Sequence, residues 1–361
     1  MNVLLTNHCN RRCPYCFARE RIVQGGTFPS PLDGPSPSSR GVAGGCRPDS
    51  PPRVPRAELP RTARSKRAAA PPFIAPEDFR RVVAFATRSR QRSLGILGGE
   101  PSLHPRFAQL LAMVLDAGLE ARTFTNGLWR PAQIDAVAKV AAGSRGRLHV
   151  VVNVNEPGST PAAQRAAQER LLAGLRRWCS LSFNVYRAEC DPSFLVDLIL
   201  RHRTRRTIRL GLAQPLAAQR SQHLEPEDYR LVAPAIVALA RRCSEHDIRL
   251  GFDCGFTLCM FTPEQLGELM LAGCRIKALC VPALDIGTDL SAWACFPLSS
   301  LASEVKLTDF EDADALHDYF RERYGRLYAA GALPACIGCP LRRRRQCAGG
   351  CAAHAYRRLR A

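Results

Sequence analysis

Lysine, aromatic residues and long apolar runs are all scarce in this sequence. Only four of the 51 basic residues are lysine, and aromatic residues occupy 7% of the 361 positions. No apolar run is long enough to cross a bilayer, and the N-terminus lacks the basic-then-apolar layout of a signal peptide. These absences predict a cytoplasmic protein with no membrane partner.

The strong positive charge would suit a protein that binds nucleic acid, since the formal charge at pH 7 is +19. The arginines are dispersed, however, apart from residues 342–345, and aromatic residues do not cluster with them. An RNA-binding module would need aromatic side chains interleaved with a basic patch. We therefore interpret the arginine as a product of GC-rich coding and expect no nucleic-acid partner. A basic surface can still attract an acidic peptide or an acidic electron-transfer protein.

Cysteine, by contrast, is abundant, with 16 residues. Cytosolic chains use cysteine for metal ligation more often than for disulfides. Cys9, Cys13 and Cys16 follow the short apolar run at residues 3–5. Thiolates at these spacings can hold three irons of one cubane and leave the fourth iron open to a small molecule. A zinc knuckle is the alternative, although zinc motifs usually pair one CxxC with another.

This CxxxCxxC pattern, with Tyr15 before its last cysteine, resembles the radical S-adenosylmethionine (SAM) superfamily. The resemblance implies a [4Fe–4S] cluster whose open iron binds the amino and carboxylate groups of SAM. It also implies reductive cleavage of SAM to a 5′-deoxyadenosyl radical, which takes a hydrogen atom from the substrate. A flavodoxin- or ferredoxin-type protein would supply the electron.

Strands and helices alternate along most of the chain. The alternation predicts a parallel sheet with right-handed crossovers, and its order resembles the partial (β/α)6 barrel of TIM type in that superfamily. The expected fold is therefore α/β, with a small cysteine-rich C-terminal extension. Chemistry in such barrels lies at the C-terminal ends of the strands. The predicted barrel strands are 2–6, 94–97, 120–125, 148–153, 181–186 and 207–212, and the predicted helices are 76–90, 105–117, 131–142, 161–178, 192–203 and 226–246. A further strand is predicted at 248–253, after the sixth helix.

Composition divides the chain into four parts. Residues 1–23 hold the first strand and the cysteine loop, and residues 73–250 hold the remainder of the barrel. Residues 24–72 contain eleven prolines, six glycines and six serines, a composition that predicts disorder. A lid that orders over the substrate is the alternative for this segment, and its Cys46 is interpreted as a bystander. Residues 251–361 form the cysteine-rich extension.

Several residues at the predicted strand ends match positions that hold SAM in the family. Gly98-Gly99-Glu100 resembles the GGE element, whose backbone and carboxylate bind the methionine amine. Asparagine amides suit the ribose hydroxyls and carboxylate of SAM, with Asn155 competing with Asn153 for that role. A tight turn, ordinary loop asparagines and a solvated arginine are the alternatives. The candidates are Tyr15, Gly98, Gly99, Glu100, Asn126, Asn153, Asn184 and Arg187.

The later cysteines resemble the SPASM and twitch extensions, which carry one or two auxiliary iron–sulfur clusters. Segments 284–286 and 292–295 predict the small hairpin of these extensions. The chain departs from the family in one gap of seven residues instead of five. It also ends ten residues after its last cysteine, so no later thiol completes a second cluster. By position, one cluster would use Cys274, Cys280, Cys295 and Cys351, and a second would use Cys336, Cys339 and Cys347.

The missing ligand of the second cluster has three candidates, namely Cys254, Cys259 and His354. Without such a ligand the second cluster would be open or absent. A structural zinc site built from the late CxxC is a further alternative.

The resemblance favours an enzyme that crosslinks, epimerises or oxidises a ribosomal peptide or a protein. Because the chain opens almost at its first strand, peptide recognition is expected to need a separate protein or the barrel itself. The sulfatase-maturing branch places an aspartate after the third auxiliary cysteine, where this chain has Phe296. Asp253 and Asp285 are the alternative bases. Oxidation or rearrangement of a small molecule, such as a sugar or an amine, is the competing hypothesis.

Overall fold

The computed structural model describes residues 1–22, 70–276, 278–301 and 305–360. The predicted disordered segment 24–72 lies outside the described residues, apart from its last three positions, and so does its cysteine. Within the described residues, no helix is both long enough and apolar enough to cross a membrane.

One mixed sheet organises the described part of the chain. Its strands occur in the order β7-β6-β5-β4-β3-β2-β1-β8-β9. All neighbours run parallel except β8 and β9, which form an antiparallel hairpin. The strands are β1 Asn2–Leu4, β2 Ser93–Leu97, β3 Glu120–Thr125, β4 Leu148–Asn153, β5 Cys179–Val185, β6 Thr207–Leu212, β7 Arg249–Phe252, β8 Asp285–Ile286 and β9 Ala292–Trp293.

The predicted α/β fold with a partial TIM-type barrel is confirmed. All six predicted barrel strands are present, and the predicted hairpin is β8–β9. The strand predicted at 248–253 is present as β7, which continues the parallel run beyond β6. The pairing of β8 with the other edge of the sheet, at β1, was not predicted.

Helices cross between successive barrel strands. Several begin with proline in the first turn, where the missing amide hydrogen costs no intrahelical bond. The helix that follows β7 also has a capping box, in which Thr262 and Gln265 exchange side-chain and backbone hydrogen bonds. The helices are α1 Pro76–Arg88, α2 Phe107–Asp116, α3 Pro131–Gly143, α4 Ala162–Gly174, α5 Phe194–His202, α6 Tyr229–Glu245, α7 Pro263–Leu271, α8 Ala313–Ala330, α9 Pro340–Arg343 and α10 Ala352–Arg360.

Alternate residues of the barrel strands separate an apolar face from a polar one. On β3, Ala121 and Thr123 are buried on the helix side, whereas Arg122 is exposed and Phe124 half-buried on the other face. This alternation follows from the two-residue period of a strand. The opposite, inner face carries mostly polar side chains, among which Ser182 is buried. The pairing of neighbouring strands places the following residues on this inner face: Arg122, His149, Ser180, Ser182, Arg209 and Gly251.

Residues 70–72 pack against the end of β1. The Pro72 carbonyl accepts hydrogen bonds from Thr6 Oγ1 at 2.7 Å and from the Asn7 amide at 3.2 Å. The Pro71 carbonyl accepts from Thr288 Oγ1 at 2.7 Å, beside the β8–β9 hairpin. These three residues thus join the first strand to the C-terminal hairpin.

Deleting residues 70–72 should lower the melting temperature of the anaerobic protein by several degrees. The reason is that each lost hydrogen bond contributes about 1 kcal/mol. Deleting residues 36–38, within the segment whose composition predicts disorder, is the matched control and should leave the melting temperature unchanged. Equal melting temperatures for the two deletions would contradict a joining role for residues 70–72.

Candidate functional site

The three N-terminal cysteines lie on the loop that follows β1, and all three are half-buried free thiols. Burial raises the pKa of Cys9, and the nearby Cys13 and Cys16 thiols raise it further. Burial and the neighbouring Cys13 also raise the pKa of Cys16 to about 11. The three thiols of the CxxxCxxC loop are therefore near enough to act on one another's charge.

The end of β2 packs directly on this cysteine loop. Gly99 donates its amide hydrogen to the Thr6 carbonyl at 2.9 Å, and Glu100 donates to the His8 carbonyl at 2.8 Å. A Cβ atom on Gly99 would clash with the backbone of His8 and would lie 2.8 Å from the Cβ of Cys9. Glycine at this position is therefore required by contact with the cysteine loop itself.

Glu100 is fully buried beneath the loop. Its carboxylate accepts hydrogen bonds from Thr125 Oγ1 at 2.7 Å, from the Asn126 amide at 2.8 Å and from Trp129 Nε1 at 3.2 Å. The Ser102 amide donates a further bond at 3.2 Å. Burial raises the pKa of Glu100, and these donors oppose the effect. The carboxylate thus joins β2 to the end of β3.

Asn126 connects the end of β3 to the cysteine loop. Its Nδ2 donates to Asn10 Oδ1 at 2.8 Å and lies 3.9 Å from the Cys9 sulfur. Its Oδ1 accepts from the Leu128 amide at 2.9 Å. Asn10 had not been predicted as a site residue, and its position inside the CxxxCxxC motif was the signal that could have found it.

Tyr15, Asn153 and Asn184 form a chain of hydrogen bonds across β4 and β5. Asn184 Nδ2 donates to Asn153 Oδ1 at 3.1 Å, and Asn153 Nδ2 contacts the Tyr15 hydroxyl at 3.1 Å. The same hydroxyl donates to Asn155, so both competing asparagines reach it. The Tyr15 ring stacks on Tyr186, with 4.7 Å between the ring centroids. Tyr186 was also missed, although it directly follows β5.

Arg187, the last predicted SAM-binding residue, forms an ion pair with Glu156. Its guanidinium lies 5.5 Å from the ring centroid of Tyr186. The arginine therefore belongs to the same strand-end group, held by a carboxylate that the sequence patterns had not singled out.

A family model described as the radical SAM superfamily matches residues 3–184, just over half of the chain. The chain belongs to the radical SAM superfamily. Membership implies a [4Fe–4S] cluster and SAM as cofactors. The match spans the cysteine loop, the Gly98-Gly99-Glu100 turn and the three strand-end asparagines.

Solved structures support the same fold. SuiB of Streptococcus suis bound to S-adenosylmethionine aligns with a TM-score of 0.59 at 13% identity, over 98% of this chain and 72% of SuiB. SuiB bound to precursor peptide SuiA aligns with a TM-score of 0.55 at 12% identity, over 89% of this chain and 66% of SuiB. Native anSMEcpe with bound AdoMet aligns with a TM-score of 0.56 at 13% identity, over 99% of this chain and 94% of anSMEcpe. No curated protein sequence matches the chain.

The cysteine loop fits the radical SAM cluster chemically. Metal ligation requires thiolates, and close thiolates repel one another unless a cation lies between them. Arg11 and Arg19 lower the pKa of Cys13 against the larger effect of burial. Cys9, Cys13 and Cys16 are thus a convergent, partly charge-compensated set that would hold the cluster.

Four of the later cysteines gather where the loop after β7 meets the start of α10. Desolvation is the main cause that raises the pKa of Cys254, and the nearby Asp253, Cys351 and Cys280 raise it further. Burial likewise raises the pKa of Cys295, and it is raised further by Cys351, Cys280 and Cys254. The group therefore consists of Cys254, Cys280, Cys295 and Cys351.

Cys336 has a different set of neighbours. Burial raises its pKa, with smaller contributions from Cys259 and Cys347. The Gly349 amide donates to Cys347 Sγ at 3.3 Å, and Cys336 Sγ lies 3.8 Å from the Gly349 carbonyl. Cys339 immediately precedes α9 and donates its amide hydrogen to the Cys336 carbonyl. Cys259 thus lies near Cys336, one of the three cysteines predicted for a second cluster.

Cys274, predicted from spacing as an auxiliary ligand, lies in the main core. Its thiol is buried near Cys243 of α6. Burial raises the pKa of Cys243, and the Cys274 thiol raises it further. Burial alone raises the pKa of Cys274. The next residue forms a bridge with Gly251 on β7, so the chain at Cys274 follows the outer strand. His354, a candidate substitute ligand, instead contacts Tyr229 at 3.1 Å.

Neither predicted base is a free carboxylate beside the cysteine loop. Asp253 lies on the inner face and is ion-paired with Arg209, whose guanidinium is 5.1 Å from the Phe124 ring centroid. Asp285 is buried and accepts a hydrogen bond from Asn2 Nδ2 at 2.7 Å. It pairs with the first residue of β1, at the opposite end of that strand from the cysteine loop.

Asp285→Asn should make stability less dependent on pH. Burial raises the pKa of Asp285 to about 7, against hydrogen bonds from Asn2 and the hairpin. The neutral acid therefore stabilises the fold below about pH 4, and this stabilisation is lost as the pH rises through about 7. The loss amounts to about 4 kcal/mol at 1.36 kcal/mol per unit. The variant should melt close to wild type at pH 4 or below, and above it at pH 8.

Asp289→Asn in the same hairpin is the matched control. Ser291 and Lys306 lower the pKa of Asp289 despite its partial burial. Its charged form is therefore the stabilising one, and the variant should lose more stability at pH 8 than at low pH. If both variants shifted the melting temperature in the same direction at pH 8, the assignment for Asp285 would be wrong.

Proposed function

We propose that this protein is a SPASM/twitch-type radical SAM enzyme that takes a hydrogen atom from a ribosomally made peptide or a protein. The observation that carries the proposal is the division of later cysteines into two groups apart from the N-terminal loop. Charge interactions connect Cys254, Cys280, Cys295 and Cys351 in one group, and Cys336 with Cys259 and Cys347 in the other. Cys339 joins the second group through its backbone hydrogen bond to Cys336. Two groups of four thiols match the needs of two auxiliary cubanes. Cytoplasmic localisation and the four-part division of the chain belong to the same proposal.

The ligand assignment follows the spatial groups. We assign Cys254, Cys280, Cys295 and Cys351 to one auxiliary cluster, so Cys254 replaces Cys274. We assign Cys259 to the second cluster with Cys336, Cys339 and Cys347, where it would supply the fourth thiolate. Both clusters would then be closed by four thiolates, which fits electron transfer better than substrate binding.

At the N-terminal site, the bound cluster and SAM would supply the electron and the 5′-deoxyadenosyl radical. The chain's own residues position them. Gly99 brings β2 against the cysteine loop, and Asn126 holds the Cys9 side of that loop. The Tyr15–Tyr186 stack covers the loop from the end of β5. Backbone groups of the glycine turn remain the candidates for the SAM amine, since Glu100 already accepts four internal hydrogen bonds.

The likeness to a peptide-bound structure makes a peptide the preferred substrate class. On the inner barrel face, the Arg209–Asp253 ion pair lies level with Asn153 and offers charged groups near the strand ends. One of the similar structures, SuiB, is itself bound to a precursor peptide. A separate recognition protein and an acidic flavodoxin- or ferredoxin-type donor are the proposed partners. The small-molecule alternative rests on the charged groups of the same face.

Changing Cys9, Cys13 and Cys16 together to alanine should abolish formation of 5′-deoxyadenosine from SAM under dithionite. The physical reason is that the three thiolates are the proposed protein ligands of the SAM-binding cluster. Chromatography of the anaerobic reaction measures the product. Product at the wild-type level in this triple variant would refute the SAM-cluster assignment, whatever the substrate is.

The same triple variant isolates the later cysteines for an iron count. About eight irons per chain would support two auxiliary clusters, by four irons per cubane. In this background, Cys254→Ser and Cys259→Ser should each perturb one cluster, as seen in iron content and in the paramagnetic resonance spectrum of the reduced protein. Cys274→Ser is the matched control and should change neither. Loss of iron in Cys274→Ser but not in Cys254→Ser would restore the spacing-based set, and zinc in place of iron would refute both.

A further inference from the structure

Three side chains with metal-ligand chemistry converge between the segment that follows β6 and the first turns of α10. One nitrogen each of His223 and His354 and one oxygen of Glu225 all lie within 4.8 Å of one another. The His223 and His354 side chains are 8% and 2% exposed, whereas that of Glu225 is 50% exposed. The group is thus buried on one side and open to solvent on the other.

Each histidine is oriented by a hydrogen-bond partner on the ring nitrogen that faces away from Glu225. Nδ1 of His223 lies 2.8 Å from the carbonyl oxygen of Ser221, which can only accept a hydrogen bond. This nitrogen therefore carries a proton, and in the neutral ring Nε2 presents a lone pair. Nε2 of His354 lies 3.1 Å from the Tyr229 hydroxyl, leaving Nδ1 toward the carboxylate. Metal-ligating histidines are held in the same way by outer partners.

The inner atoms of the group present negative charge or lone pairs to one another. Nε2 of His223 lies 3.1 Å from Oε1 of Glu225, and Nδ1 of His354 lies 3.4 Å from Oε2. Two imidazole nitrogens and one carboxylate oxygen converging in this way are a ligand set that can hold a cation.

Arg357 supplies part of that positive charge. Its Nη1 lies 3.2 Å from Glu225 Oε1 and 2.5 Å from His223 Nε2, so it reaches two of the three ligand groups. The side chain is 46% exposed, and it can turn outward into solvent without leaving a buried charge behind. The guanidinium therefore competes with a metal ion for these two ligands and does not block the third.

We propose that His223, Glu225 and His354 bind one Zn²⁺ ion, with Arg357 displaced outward and water in the fourth position. Two histidines, one carboxylate and a water form a familiar tetrahedral zinc set. The ion would tie α10, which begins directly after Cys351, to the segment that follows β6. The site contains no cysteine, so its ligands are distinct from those of the three proposed iron–sulfur clusters.

X-ray absorption at the zinc edge tests the site on the wild-type protein. The iron-reconstituted protein is given one equivalent of ZnCl₂ and then desalted. Bound zinc should show only nitrogen and oxygen neighbours at about 2.0–2.1 Å. Sulfur neighbours at about 2.3 Å would place the zinc in a cysteine site and overturn the proposal, as would no retained zinc.

Matched variants give a second measurement. Glu225→Gln should weaken zinc binding by at least the roughly 10- to 100-fold that loss of an outer partner costs, while Glu227→Gln, two residues away and exposed, should bind like wild type. Arg357→Met should bind zinc more tightly, since the competing cation is gone. Iron content and far-UV circular dichroism verify that each variant is folded. Equal zinc affinity in Glu225→Gln and Glu227→Gln would contradict the site.

Discussion

A buried carboxylate is the constraint on which the N-terminal site depends. Glu100 has no solvent to stabilise its charge, so the surrounding chain must supply donors for both oxygens. Those donors come from the end of β3 and from Trp129. Asn126, fixed in this way through its backbone, then reaches Asn10 and the Cys9 sulfur with its side chain. The hydrogen bonds to the Glu100 carboxylate thus fix Asn126, and Asn126 in turn positions the cysteine loop.

Much of the barrel could be predicted because its signals are local. The bounds of β3, β4 and β6 match the apolar runs that predict them, since strand period and turn residues are written into short windows. The predicted fourth helix ran past its end at Gly174, and β5 consequently began earlier than expected. Pairing across the sheet is not local, so the addition of β8 beside β1 could not be derived from the pattern of residues 284–286.

The cysteine groups show the same limit at the level of the site. Spacing alone favoured Cys274, because it stands at the family's distance from Cys280. What decides its place is the bridge of its neighbour to Gly251, which carries the chain along β7 and buries the thiol beside Cys243. Conversely, the chain that bears Cys254 and Cys259 reaches the C-terminal loop. A Cβ on Gly350 would lie 3.2 Å from Thr257 Cγ2. Such proximity depends on tertiary packing, which spacing does not contain.

The arginine excess also gains a local meaning. Arg11 and Arg19 lower the pKa of Cys13, and Arg209 and Arg342 act likewise on Cys254 and Cys336 against the effect of burial. Thiolate ligands are anions, and burying several together is costly without nearby positive charge. At least some arginines therefore favour the ionised, metal-binding form of these thiols. Biased coding can explain how many arginines the chain has, but only packing explains why some of them stand beside each of the three cysteine groups.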